Sequence, residues 1–293
     1  MNWDDVRVFL AVARSGQILG AARTLGLNHA TVARRMTALE KDIGTVLFDR
    51  RTTGTDLTAE GEVFLTFAER MESEMLNGRE ATSSRDLAVS GTVRVGAPDG
   101  FGVAYLAPRL VTLSELYPEL SIELVPVPRS FSLSRREADI AVTLERPRQG
   151  RLVARKLTDY TLGLYAARSY LERYGTPGAA EELAGHRLVG YVEDLIFSDA
   201  LNYTDLFLSG WRSKIAVSSA MGQTVAVRSG AGIGILHGFM ARAEAGLVPV
   251  LPDLTIKREY WLVVHEDVRA LRRIKIVADF LSDLVKGDAA IFV

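Results

Sequence analysis

Residues 18–40 contain two short runs in which apolar side chains recur at helical spacing. The apolar positions of the first run are Ala21, Ala22 and Leu25. Gly26 follows at once, and a chain leaving a helix often adopts a positive φ at such a glycine. The second run repeats apolar side chains at intervals of four and three residues, at Val32, Met36 and Leu39. This pattern predicts two helices joined by a tight turn, the second with one buried face.

The opposite side of the second predicted helix is polar and cationic. Asn28 is placed to cap its first turn, and the outward positions are Thr31, Arg34, Arg35 and Ala38. A helix with a supported back, cations for phosphates and forked donors for base edges suits the major groove of DNA. The alternative is a solvated charged face. We favour DNA contact for Arg34 and leave Arg35 open between the two interpretations.

The segments on either side complete a small domain. A helix from about Asp4 to Gly16 is predicted to pack behind the pair. After Gly44, short apolar runs at 46–48 and 56–57 flank a basic, polar stretch, which predicts a β-wing. The tip of this wing either contacts the DNA backbone beside the groove or is a solvated hairpin, and the neighbouring basic helix favours contact.

Thr58 is predicted to cap a long helix that continues to about Leu87. Its apolar side chains recur at spacings of three and four, at Phe64, Phe67, Met71 and Met75. A long helix with one narrow apolar stripe and no neighbour in its own domain needs a partner helix. The simplest partner is the same helix of a second subunit. A hinge is expected at about residues 85–91.

From Gly91 onward, short strand-like runs alternate with helical segments. The predicted strands include residues 92–97, 121–127, 139–143, 162–166, 187–192, 247–251 and 260–264. This alternation predicts an α/β fold with mostly parallel sheets. The segment is long enough to form one domain or two halves around a cleft.

Composition narrows the function classes. The chain has 293 residues and a formal net charge of −1, so we expect two or three domains, and any nucleic-acid contact must come from a local patch. Cysteine is absent, which excludes disulfides, cysteine zinc sites and thiol nucleophiles. The first residues do not resemble a signal peptide. No apolar run is close in length to a membrane-spanning helix, which needs about 20 residues. We therefore expect a cytoplasmic protein without a membrane partner.

Beyond these patterns, the chain resembles the LysR-type transcriptional regulators in the order and spacing of several blocks. These blocks are AARTLGLNHATVARRMTALEKDIGTVLFDRR, LTAEGEVF, GTVRVGAP, LYPELSIEL, EADIAVTL, VRSGAGIGIL and RRIKIVADFL. The resemblance implies a winged helix-turn-helix at 1–57, a linker and dimerisation helix with a hinge at 58–90, and an effector domain at 91–293. That domain would be α/β and two-lobed, like periplasmic solute-binding proteins, with lobe I at 91–160 and 266–293 and lobe II at 161–265.

The resemblance also implies partners and contact residues. The partners would be a double-stranded DNA operator, a small-molecule effector, and further copies of the chain in homodimers that usually pair into tetramers. The groove contacts would be Asn28, His29, Thr31 and Arg34, with Arg35 beside them, and the wing contacts would be Arg50 and Arg51. Ala33 stands where the family usually has serine, so one customary hydroxyl contact is missing.

An effector would bind between the lobes. The matching positions are Asp99, Gly100, Phe101, Ser130, Thr143, Tyr191, Ser219 and Met221. Many relatives have serine or threonine at the first of these turns and bind small carboxylates there. This chain has Asp99 instead, and its fixed negative charge is expected to repel an anionic effector. Alternatively, Asp99 only caps the helix predicted to start near Gly100, which is the commoner use of such an aspartate.

Two rival functions are a solute-binding module for transport and a cytoplasmic α/β enzyme with a helical cap. The missing signal peptide argues against the first, and the lack of a P-loop, a nucleophile motif or paired catalytic carboxylates argues against the second. Gly230, Gly232 and Gly234 follow a predicted helix and enter an apolar strand, which favours a helix-end turn over a nucleotide-binding loop. His186, His237 and His265 have no second histidine or carboxylate at the spacing of metal ligands. We therefore expect no catalytic site, no metal and no cofactor.

Overall fold

The computed structural model describes residues 2–51, 54–82, 89–127, 133, 137–148 and 150–293, and the chain divides into two units. The N-terminal unit consists mainly of residues 1–87, and the C-terminal unit consists of residues 88–133, 138–265 and 273–293. Residues 266–272 group with the N-terminal unit. No helix in the described part of the chain combines the length and the apolar character needed to cross a bilayer.

The N-terminal unit is a winged helix-turn-helix followed by a long helix. Its elements are α1 (Trp3–Ser15), α2 (Ile18–Leu25), α3 (His29–Ile43), the paired strands β1 (Phe48–Arg51) and β2 (Gly54–Leu57), and α4 (Ala59–Thr82). Thr58 caps α4, since its hydroxyl accepts a hydrogen bond from Gly61 N at 3.0 Å. The predicted order of helices, wing and linker helix is confirmed. Residues 83–88, in which the end of α4 and most of the hinge were predicted, lie outside the described residues.

A single apolar core holds the helices of the N-terminal unit together. Phe9 of α1 is fully buried, and its ring centre lies 4.9 Å from that of Phe64 on α4. The buried face predicted for α3 packs into the same core and consists of Val32, Met36 and Leu39. Phe64 therefore packs within its own domain, and the prediction that it belongs to a free stripe on α4 is wrong.

The C-terminal unit is an α/β domain built on one mixed sheet of eight strands. The strands are β3 (Gly91–Ala97), β4 (Leu120–Pro126), β5 (Ile140–Thr143), β6 (Leu152–Ala167), β7 (Leu188–Gly190), β8 (Ser213–Ala216), β9 (Ile233–His237) and β10 (Leu247–His265). Their order in the sheet is β4-β3-β5-β10-β6-β9-β7-β8. The α-helices are α5 (Leu110–Leu116), α6 (Arg168–Tyr174), α7 (Ala220–Arg228), α8 (Gly238–Ala241), α9 (Arg272–Gly287) and α10 (Ala289–Phe292). A π-helix, Phe101–Leu106, follows β3.

The two long strands β6 and β10 are antiparallel and run through both lobes. Residues 261–264 of β10 pair with β5, whereas residues 162–166 of β6 pair with β9. Lobe I thus contains β3, β4 and β5, and lobe II contains β7, β8 and β9, with β6 and β10 shared. Residues 261–264 of β10 thus pair with a strand of lobe I. The strands predicted at 247–251 and 260–264 are the two ends of β10.

The short helix α10 packs against both lobes on one side of the domain. The side chain of Phe292 is fully buried, and its ring centre lies 4.7 Å from that of Tyr105 in lobe I and 5.1 Å from that of Phe239 in lobe II. The hydroxyl of Thr161 donates to the carbonyl oxygen of Phe292 at 3.3 Å. These contacts give the two lobes a shared apolar anchor.

Gly61 allows the start of α4 to lie against the chain that enters the wing. A Cβ added at this position would lie 2.1 Å from the carbonyl oxygen of Leu47, so the backbone would have to shift. We predict that Gly61→Ala lowers the free energy of unfolding by about 2 kcal/mol, measured by chemical denaturation of the full chain. Gly78→Ala on the same helix is the matched control, because a Cβ there meets no described atom within 4 Å. Equal destabilisation by the two substitutions would contradict the close approach at Gly61.

Candidate functional site

The outer side of α3 carries the side chains predicted to contact DNA. Asn28, His29 and Arg34 are exposed, and Thr31 is half-buried. The side-chain oxygen of Asn28 accepts a hydrogen bond from Thr31 N at 2.7 Å, so the predicted cap is present. The amide NH2 of Asn28 remains as a donor for another partner. The first turn of α3 therefore combines exposed donors with a firmly held backbone.

The two arginines of α3 have different surroundings. Arg34 makes no hydrogen bond or ion pair with any residue that the structure describes. Arg35 turns toward α1, where its Nη1 atom lies 3.4 Å from Asp4 Oδ2 and 3.7 Å from Asp5 Oδ1. The helical spacing had placed Arg35 on the outward face. The structure corrects that position, because the acidic first turn of α1 attracts the guanidinium.

A carboxylate holds the base of the wing against α3. Glu40 Oε1 accepts hydrogen bonds from Leu47 N at 3.0 Å and from Phe48 N at 3.2 Å. The strand that follows, β1, carries Arg50 and Arg51 and pairs with β2 antiparallel. Residues 52 and 53, at the predicted wing tip, lie outside the described residues. The wing thus starts from a fixed point on the same helix that presents Arg34.

Apolar side chains project into solvent from α4. Val63, Phe67 and Met75 are each more than half exposed, and Met71 is more than one-third exposed. They recur every fourth residue along a helix of 24 residues. An uncovered apolar stripe of this length is typical of a surface that another chain covers.

A cleft of about 1290 Å³ lies between the lobes of the C-terminal unit. It is lined by the end of β5, by the middle of β6 and β10, and by residues 197–200 of lobe II. Thr143 lines it, and its hydroxyl donates to the carbonyl oxygen of Glu145 at 2.7 Å. The hydroxyl of Ser198 donates to Glu145 Oε2 at 2.9 Å and so links the two lobes.

Charged residues that the sequence analysis did not single out line the middle of the cleft. Lys257, Arg258 and Glu259 lie on β10 and line the cleft. The run of three charged residues was the feature of the sequence that could have identified them as site residues. Lys156 Nζ lies 2.7 Å from carboxylate oxygens of both Glu259 and Asp159, which partly neutralises these two acids. Lys257 and Arg258 thus add two further cations beside this paired group.

Asp99 follows β3 in lobe I and reaches the first turn of α7 in lobe II. Its carboxylate accepts hydrogen bonds from Ser219 Oγ at 2.5 Å, Met221 N at 3.2 Å and Ala220 N at 3.4 Å. The expectation that Asp99 caps the helix beside Gly100 is wrong, because the π-helix there has no side-chain cap. The structure thus brings together three of the predicted effector positions, although Met221 takes part through its backbone.

Two other predicted effector positions are buried. A Cβ added at Gly100 would lie 2.9 Å from Met240 Sδ. Phe101 is fully buried, with its ring centre 4.6 Å from that of Tyr260. The prediction that Phe101 contacts an effector is corrected for its side chain, which belongs to the aromatic core. Ser130 lies outside the described residues.

Two tyrosines lie near enough to the Asp99 carboxylate to be influenced by its charge, the half-buried Tyr191 and the buried Tyr203. Tyr191, a predicted effector position, has its ring centre 6.4 Å from that of Tyr203. Burial raises the pKa of the Tyr191 hydroxyl well above its usual value, and the nearby Asp99 carboxylate adds to the increase. Burial likewise raises the pKa of Tyr203. Both hydroxyls therefore stay protonated and able to donate hydrogen bonds at physiological pH.

His237, at the end of β9, belongs to the same interior. Its imidazole stacks on Tyr160 with ring centres 5.2 Å apart and is only 6% exposed. Burial lowers the pKa of His237 to about 4, and the Asp99 carboxylate opposes this shift. The imidazole is therefore neutral near pH 7.

Family models match both units of the chain. A model described as "Bacterial regulatory helix-turn-helix protein, lysR family" matches residues 3–62. A second, described as "LysR substrate binding domain", matches residues 88–286. The first covers the helices and wing that carry Arg34, and the second covers the lobes and the cleft.

Individual proteins align over nearly the whole length. The HTH-type transcriptional regulator CrgA of Neisseria meningitidis serogroup C is 31% identical over 296 residues, which cover 96% of each chain. The HTH-type transcriptional activator TtdR of Escherichia coli K12 is 26% identical over 289 residues, covering 95% of this chain and 92% of TtdR. The solved structure of CrgA from Neisseria meningitidis matches with a TM-score of 0.56 at 27% identity, over 98% of this chain and 99% of CrgA.

We predict that His237 makes the protein less stable in acid. Because burial lowers its pKa from 6.5 to about 4, the folded state binds fewer protons than the unfolded state between these values. Stability that is fully present above pH 6.5 is therefore lost as the pH falls toward 4, by about 3 kcal/mol at most. His237→Gln should flatten the pH dependence of the free energy of unfolding in this window, whereas His29→Gln, which removes an exposed imidazole, should not. An unchanged slope in His237→Gln would contradict the assignment.

Proposed function

The chain belongs to the LysR family of DNA-binding transcriptional regulators, and we propose that α3 and the wing bind an operator while a small molecule in the cleft controls that binding. The contrast between the two sides of α3 carries the first part of this proposal. One side is buried in the core through Val32, Met36 and Leu39. The other side is exposed and carries Arg34 without a described partner.

The DNA contacts divide into those that read bases and those that hold phosphates. Asn28 directly precedes α3, and His29, Thr31 and Arg34 lie in its first half, where a helix placed in the major groove meets base edges. Arg50 and Arg51 lie on the wing and contact the neighbouring backbone. Because the net charge of the whole chain is −1, affinity depends on these local cations. Binding should therefore weaken strongly as salt concentration rises.

Two copies of the chain pair through α4, and pairs of dimers form tetramers. The exposed stripe that contains Phe67 and Met71 is covered in such a dimer. A twofold pair of α3 helices then reaches half-sites one helical turn of DNA apart, or a multiple of it. Dimerisation thus supplies both the apolar partner that α4 lacks and the symmetry that an operator needs.

The effector binds between lobes that share β6 and β10. A ligand can change the arrangement of the lobes only if it prefers one arrangement over another. The cleft is suited to this because residues from both lobes line it, with Thr143 and Glu145 on one side and Ser198 on the other. The affinity of a ligand that contacts residues of both lobes therefore depends on the distance between the lobes.

We propose a sensor that acts in the cytoplasm and does not turn its ligand over. The relatives named above are a transcriptional regulator and a transcriptional activator. A solute-binding module would have no use for the exposed cationic side of α3. Incubation of the chain with any ligand found in the cleft, followed by analysis for products, distinguishes a sensor from an enzyme.

Arg34→Ala should weaken specific binding by about 1–3 kcal/mol, because it removes a forked donor from the groove. The affinity is measured on duplexes selected by the parent chain from a random pool and on scrambled duplexes. Arg35→Ala is the matched control, since it removes the same charge from a side chain that pairs with Asp4 and Asp5. It should leave sequence preference intact. Equal loss of preference in both variants would remove Arg34 from the base contacts.

Phe67→Glu should lower the molecular mass in solution at a given protein concentration, because dimerisation would bury the new charge in the α4 stripe. Sedimentation velocity measures the distribution of species. Thr66→Glu adds the same charge at an exposed neighbouring position outside this stripe and should leave the distribution unchanged. If Phe67→Glu associates like the parent chain, α4 is not the dimer surface.

A further inference from the structure

We propose that Asp99 acts as a built-in anionic ligand at the first turn of α7, because its carboxylate already occupies the donors that an external carboxylate would need there. Small free carboxylates are therefore excluded from this position, and an effector must be held by the residues that line the cleft. This inference rests on the proposed binding of an effector between the lobes. It names one chemical class, small free carboxylates, that does not bind at the first turn of α7.

The first turn of α7 forms a complete carboxylate site. Two backbone N–H groups and the hydroxyl of Ser219 donate to Asp99, at distances from 2.5 to 3.4 Å. Hydrogen bonds to an ionised acceptor are stronger than neutral ones, and the N-terminus of a helix favours negative charge. Asp99 is 120 residues from Ser219 in the sequence and lies on the other lobe. The contact is therefore an interlobe tie in which the chain acts as its own anionic ligand.

The packing beside Asp99 leaves no space for a second anion. Asp99 is only 8% exposed. At Gly100, a Cβ would lie 2.9 Å from Met240 Sδ and 3.1 Å from the Cβ of Ala220, so the lobes meet closely here. A ligand carboxylate on the same donors would have to displace Asp99, and the displaced charge would be left without its partners. Both the geometry and the charge exclude it.

The charge of Asp99 is stabilised by neutral donors. In the described part of the chain, no lysine or arginine forms an ion pair with Asp99. The described cations that line the cleft are Lys257 and Arg258 on β10, and Arg146 and Arg148 after β5. An anionic group on an effector in the cleft is therefore expected to face these cations and not the first turn of α7.

Removal of the Asp99 side chain should make the first turn of α7 a site for an external carboxylate. Asp99→Gly deletes a methylene carboxylate, and acetate supplies nearly the same atoms. The melting temperature of the full chain is measured in sodium acetate, in sodium chloride at equal ionic strength and in acetamide. We expect a saturable increase for Asp99→Gly in acetate alone and no such increase for the parent chain. Addition of Ser219→Ala should weaken acetate binding about tenfold, the effect of one charge-assisted hydrogen bond.

A second variant keeps the test decisive if Asp99→Gly fails to fold. Asp99→Ser removes the charge but keeps a small polar side chain, and it should also bind acetate where the parent chain does not. The proposal is overturned if neither variant responds to acetate more than to chloride, or if the parent chain responds equally. No DNA is present in this experiment, so its failure leaves operator binding untouched, whereas failure of the proposed function appears in the Arg34 measurements.

Discussion

The first backbone N–H groups of a helix have no carbonyl partners within that helix, and in this protein polar side chains supply partners at each functional junction. Asn28 supplies one for α3, and Thr58 supplies one for α4. At α7 two side chains accept hydrogen bonds from these N–H groups. Ser219, which directly precedes the helix, accepts from Gly222 N, and Asp99 of the opposite lobe accepts from Met221 N. The same constraint thus fixes the start of the DNA-binding helix, starts the linker helix and ties the two lobes of the effector domain together.

The local caps could be predicted from the sequence, whereas the cap between lobes could not. Asn28 and Thr58 each directly precede a run with helical periodicity, which is the pattern that N-caps produce. Asp99 also precedes such a run, so the same rule assigned it to the wrong helix. Its true partners are 120 to 122 residues away, and only the topology of the sheet brings them close. Short-range patterns therefore identified Asp99 as a residue with a role but did not identify the role.

Charged side chains limited the prediction elsewhere in the same way. Apolar spacing correctly gave the buried face of α3, yet it could not separate Arg34 from Arg35. These neighbours differ by about 100° around the helix axis, and Arg35 falls within reach of Asp4 and Asp5 on α1. In β10 the charged segment around Lys257 interrupted the apolar pattern, so one strand was predicted as two. Pairing with β6 continues through this segment and makes it part of the cleft.

The lobes are held together on more than one side, and this bears on how an effector can act. Asp99 and Ser198 each form hydrogen bonds that join the two lobes, while Phe292 packs against aromatic rings of both lobes. A hydrogen bond to a charged group contributes about 1.5–3 kcal/mol, so an arrangement that breaks the Asp99 contacts is several kcal/mol less stable. A tenfold preference of a ligand for that arrangement supplies only about 1.4 kcal/mol. An effector of modest selectivity therefore acts through a small displacement of tied lobes, since wide opening of the cleft would require a much larger difference in affinity.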